Sequence, residues 1–85
     1  MSALQISYAL LADTVALLRA SPDRERVVLW LGRRHARGVR VEDVHLPIQE
    51  TDADYFRIPE HGMAALFACL RATRRFVAAQ VHTHP

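Results

Sequence analysis

The stretch Phe76-Val77-Ala78-Ala79-Gln80-Val81-His82-Thr83-His84-Pro85 decides how the rest of the chain is read. A run of small, apolar and β-branched residues predicts a buried strand, with two histidines delivered at its end. Side chains on a strand alternate faces, so His82 and His84 project to the same side, where two imidazoles can converge on one metal ion. Pro85 has no N–H to give a ladder, so pairing stops there and the chain turns away. A His-x-His pair at a strand end also occurs as a structural or surface feature, so the rest of the chain must decide between the two readings.

A second apolar run, Val27-Val28-Leu29-Trp30-Leu31, is opened by Asp23-Arg24-Glu25-Arg26 and closed by Gly32. It predicts a central strand buried on both faces. Arg33 to Gly38 reads as a polar loop, with Gly38 at a position of positive φ. Val39-Arg40-Val41 then alternates, and the apolar phase slips by one across Glu42-Asp43 before resuming at Val44 and Leu46. A β-bulge there keeps both halves facing the core, so the two runs form a hairpin ended by Pro47.

Towards the N-terminus, residues 3–20 carry Leu10, Leu11, Val15 and Leu18 at helical spacing, with Ser7 as N-cap and Ser21-Pro22-Asp23 as the stop. After the hairpin, residues 49–54 form a polar connector and Tyr55-Phe56-Arg57-Ile58 a short strand with Phe56 and Ile58 inward. Pro59 opens a helix on which Met63, Leu66, Phe67 and Leu70 stand at i, i+3, i+4 and i+7. It ends near Arg74-Arg75, whose charges suit the negative end of the helix dipole. The expected order is α-β-β-β-α-β, an α/β fold with a mixed β-sheet flanked by two helices in one domain spanning residues 1–85.

Composition limits the function. The chain has 85 residues, enough for one domain that buries roughly 60–65% of its unfolded surface. A hydrophobic content of 51% with 24% charged residues excludes disorder on composition, and no apolar run approaches the ~20 residues of a membrane span. The net charge is +2, with no lysine present, so the clustered excess expected of a nucleic-acid binder is missing. Cys69 is the single cysteine and the N-terminus does not read as a signal peptide, which together point to a cytoplasmic protein.

A catalytic zinc takes about three protein ligands and leaves a position open, and a nearby carboxylate removes a proton from the attacking water. His82 and His84 supply two ligands. Glu25, at the entrance of the Val27–Leu31 strand, is the best-placed carboxylate if that strand lies near the terminal one; otherwise it is a solvated charge. His35, His45 and His61 read as solvent-exposed, Trp30 as core, and Cys69 as a core or boundary residue. Arg33, Arg34, Arg37 and Arg40 form a basic hairpin tip, either a solvated loop or a contact for an acidic partner.

The chain resembles the N-terminal part of the JAB/MPN domain, the JAMM metallopeptidase family. Three features carry the resemblance in order. A glutamate stands seven residues before the glycine that closes an apolar strand, in Glu25-Arg-Val-Val-Leu-Trp-Leu-Gly32. The Tyr55-Phe56-Arg57-Ile58 strand leads into the Met63–Leu70 helix. An apolar strand ends His82-Thr83-His84-Pro85, where the family has His-x-His-Pro.

The resemblance implies a cytidine-deaminase-like fold, Glu25 as general acid/base, and His82 and His84 as ligands of Zn2+. It further implies hydrolysis of peptide or isopeptide bonds in a protein substrate, possible substrates including a ubiquitin-like or sulfur-carrier protein. The family pattern continues with a serine and an aspartate about ten residues further on. The sequence stops before them, which reads as a domain truncated at its C-terminus with an exposed apolar sheet edge. The alternative is a catalytically inactive MPN-like scaffold that binds a protein partner.

Overall fold

A computed structural model describes residues 3–83. The order is β1 (Ala3–Gln5), α1 (Tyr8–Arg19), β2 (Arg26–His35), β3 (Gly38–His45), β4 (Glu50–Thr51), β5 (Phe56–Arg57), α2 (Glu60–Thr73) and β6 (Phe76–Thr83). A four-stranded sheet runs β1-β3-β2-β6, and β4 and β5 form a separate antiparallel ribbon. β1 lies parallel to β3, whereas β2 is antiparallel to both neighbours, so the sheet is mixed, as expected. Expectations placed on His84 and Pro85 lie outside the described residues.

β2 is the central strand, and its apolar run divides by parity between two cores. Val27, Leu29 and Leu31 pack with Leu66 of α2, joined by Phe56, Ile58, Met63, Cys69 and Leu70. On the opposite face α1 crosses β2 and β3, and the Trp30 indole donates to Thr14 Oγ1 at 2.9 Å. Trp30 is only partly buried, and its indole N–H finds the acceptor it needs on the helix. Val28 and Val41 are buried in the same sheet, at 0% and 3% exposure.

The expected bulge in the hairpin is present. Leu31 pairs with Asp43 and Gly32 with Val41, which leaves Glu42 as the extra residue. A second irregularity lies across the strand: Trp30 pairs with Ala79 and Leu31 with Val77, leaving Ala78 extra on β6. Two bulges facing the same point of β2 add twist there and curl the sheet.

Several expectations need correction. Gly32 does not close the strand: β2 runs on through Arg33, Arg34 and His35, so the loop shrinks to a turn at Ala36-Arg37, with Gly38 at φ 139°. Ser7 caps helix α1 as expected, its Oγ accepting from the Leu10 N–H at 3.2 Å, but Ala3–Gln5 before it is a strand. Three residues have too little helical register of their own to resist pairing with β3.

The connector at 49–54 contains β4. β6 is an edge strand, with Phe76 and Val77 38% and 40% exposed, and not a buried one. Leu46 lies beyond the end of β3 and is exposed, and Phe67 on α2 is 49% exposed. The buried stripe of α2 runs through Gly62 and Leu66, with Met63 and Leu70 packed beside it as expected and Phe67 left outside. Of the histidines, His35 and His61 are exposed and His45 is half-buried.

α2 opens at Pro59, as expected, and ends at Arg74, which adopts the left-handed conformation at φ 56°. Its first turn comes so close to the loop after β3 that a Cβ on Gly62 would stand 2.7 Å from the Ile48 carbonyl oxygen. Gly62→Ala should therefore cost about 1–3 kcal/mol through overpacking. A fall in the urea midpoint at unchanged slope would show it; a stability equal to wild type would mean the loop gives way freely.

Candidate functional site

The pairing of β2 with β6 joins two stretches separated by most of the chain. Their antiparallel register sets Arg26 opposite Thr83 and Val27 opposite His82. The start of β2, preceded by Glu25, thus meets the end of β6. Residues directly opposite in an antiparallel pair share a face, so His82 lies on the face of Val27, towards α2. There its ring meets Phe56 of β5, centroid to centroid 5.7 Å at a tilt of 47°.

Glu25 is 9% exposed and is therefore not a solvated charge. A carboxylate withdrawn from water is costly unless its surroundings compensate it, so its burial is a structural commitment. The chain after β3 holds this corner in place. The Gln49 side-chain amide stands in for a missing strand: its Oε1 accepts from the Val27 N–H at 2.9 Å, and its Nε2 donates to the Val27 carbonyl at 2.9 Å. Gln49 Nε2 also donates to the Pro47 carbonyl at 3.1 Å.

Next along, the Glu25 N–H donates to the Asp52 carbonyl at 2.7 Å, and Arg24 Nη1 donates to the Thr51 carbonyl at 2.9 Å. Arg26 reaches the other way, its Nη1 donating to the Leu17 carbonyl at 3.0 Å. The backbone around Glu25 is thereby tied to both the β4 segment and α1. Sequence reading treated residues 49–54 as a plain connector and missed Gln49. A lone amide side chain has no periodicity to announce it.

The donor types at this corner suit zinc in kind, since imidazole nitrogen and carboxylate oxygen are both groups it accepts. Among the described residues no cluster of three or more His, Cys, Asp and Glu side chains is gathered to hold a metal ion. The described part of the candidate site is therefore Glu25 and His82. His84, the other expected ligand, lies outside it.

No model of a known protein family matches the chain, and no curated protein matches it either.

A different charged group organises the far half of the sheet. Glu42, the bulge residue, accepts from Arg33 Nε at 2.6 Å and from Arg75 Nε at 3.1 Å, both through Oε1. Its Oε2 lies 3.7 Å from His35 Nε2. The Arg33 hydrogen bond, and after it that of Arg75, hold the Glu42 carboxyl below its ordinary value of 4.5, against the opposing pull of desolvation.

A carboxyl whose pKa is lowered on folding adds stability above its unfolded pKa and loses it as pH falls through the folded value. Glu42→Gln should therefore remove part of the acid sensitivity of unfolding below about pH 4.5, leaving neutral-pH stability lower. Parallel urea titrations of wild type and variant across that range read the difference, and superimposable pH profiles would rule the effect out.

Proposed function

We propose that this chain carries the glutamate and histidine portion of a zinc-dependent metallopeptidase of the JAB/MPN type, acting on peptide or isopeptide bonds of a protein substrate. The observation that supports this reading most is the β2–β6 register, which sets the start of β2, preceded by the buried Glu25, beside the end of β6, which carries His82. These are two of the residues that the resemblance assigns to the chemistry, and nothing in their separate sequence contexts requires them to meet.

In this reading His82 binds zinc through a ring nitrogen, together with His84. Phe56 lies against the His82 ring. Zinc held there would supply Lewis acidity towards the scissile carbonyl and the attacking water. A Glu25 carboxylate oxygen takes the proton from the attacking water and returns it to the leaving amine nitrogen. A ubiquitin-like conjugate is the proposed substrate class, and the cytoplasm the proposed compartment. No helix among the described residues is long and apolar enough to cross a membrane.

The test pairs metal content with cleavage in the full-length protein. Glu25→Gln should keep wild-type zinc stoichiometry while lowering cleavage by about 10²–10⁴-fold, the span typical of a lost general acid/base. His82→Ala should lose zinc. Cleavage by Glu25→Gln at the wild-type rate would remove Glu25 from the mechanism. A wild-type protein that binds no zinc and cleaves nothing, yet holds a protein partner, would be an inactive scaffold instead.

A further inference from the structure

The end of the sheet opposite Glu25 and His82 carries a concavity of its own. Over the ten residues of β2 the two ends lie about 30 Å apart at strand rise. At the β2–β3 hairpin a cavity of about 290 Å³ is lined by Gln5, His35, Ala36, Arg37, Gly38 and Arg40. β1 forms one wall: its parallel register sets Gln5 beside Arg40 and Ala3 beside Gly38, and the Ala3 N–H donates to the Arg37 carbonyl at 3.3 Å. Gly38, at φ 139°, forms a floor without a side chain, since a Cβ there would strike the Ala3 backbone.

The charges around this cavity are unbalanced. Register places Arg40 directly opposite Arg33, a like-charge pair that costs stability unless something neutralises it. Glu42 answers Arg33, and its second oxygen faces His35. Arg75 reaches Glu42 and Asp43. Among the described residues no carboxylate lies within ion-pair distance of Arg37 or Arg40. Two exposed guanidinium groups and the Gln5 amide thus line one pocket in which all the long polar side chains can donate.

We propose that this cavity is a binding site for an oxyanion, a carboxylate or phosphate group, held by Arg37 and Arg40 with Gln5 as an additional donor. Guanidinium forks match the paired oxygens of either group. The site is independent of the proposed hydrolytic corner and would stand if that reading failed.

The experiment follows backbone amide shifts by NMR as the full-length protein is titrated, separately, with inorganic pyrophosphate and with a hexaglutamate peptide. Saturable shifts confined to Gln5, His35–Gly38 and Arg40 are expected with at least one of the two, and the tighter arm identifies the ligand as phosphate or carboxylate. Arg37→Ala/Arg40→Ala should raise the Kd at least tenfold. Arg34→Ala, on the opposite face by alternation and absent from the lining, should leave it within twofold. Arg40→Lys keeps the charge but loses the fork, and should weaken binding several-fold with the fold intact. Shifts that never saturate with either probe, or equal affinity in the double variant and Arg34→Ala, would overturn the proposal.

Discussion

The structure depends on the hydrogen bonding of β2 along both of its edges. A strand of this apolar character can be buried only if every backbone N–H and C=O finds a partner, because an unpaired group away from water costs about as much as a lost hydrogen bond. β3 serves one edge and β6 the other. Where the β3 ladder stops, at Leu29 opposite His45, the Gln49 amide and the Asp52 carbonyl take over. That continuation is what allows Val27 to be fully buried and Glu25 nearly so at the end of the strand.

The two helices follow from the same constraint. A central strand with apolar side chains on both faces exposes two surfaces to water until each is covered, and the parity of Val27 to Leu31 puts three side chains on one face and two on the other. α2 covers the odd-numbered side with Leu66 and its neighbours, and α1 covers the other with Thr14 and Leu18. Thr14 at a buried helix position looks like a poor choice until the Trp30 indole is considered. The threonine hydroxyl donates to the Leu10 carbonyl at 2.8 Å and accepts from Trp30, so both polar groups are satisfied inside an apolar layer.

What could be read in the sequence was local. Ser7 as a cap, Gly38 at positive φ, the bulge at Glu42 and the two helices each depend on a few neighbouring residues, and each is present in the structure. β1 and β4 were hidden because they are short, and their pairing with β3 and β5 selects them over local preference. Phe67 was misplaced because four apolar residues on α2 fit one stripe while Gly62 fixes a slightly different one by its contact with the Ile48 carbonyl. At the candidate site, Glu25 and His82 were visible as residue types. Their meeting was not, since periodicity carries no information about which strands become neighbours.

The pairings also differ in how far apart along the chain their partners lie. The β2–β3 hairpin closes over a two-residue turn, a contact that forms on the microsecond scale. β6 reaches β2 only after the ribbon and α2 have been laid between them, and loop-closure entropy must be met before those contacts contribute. A folding chain should thus hold the β2–β3 hairpin, with Glu42 already beside Arg33, before β6 docks. The corner formed by Glu25 and His82 is then among the last parts to assemble. Any residue that slows the docking of β6 would delay that corner while leaving most of the native secondary structure in place.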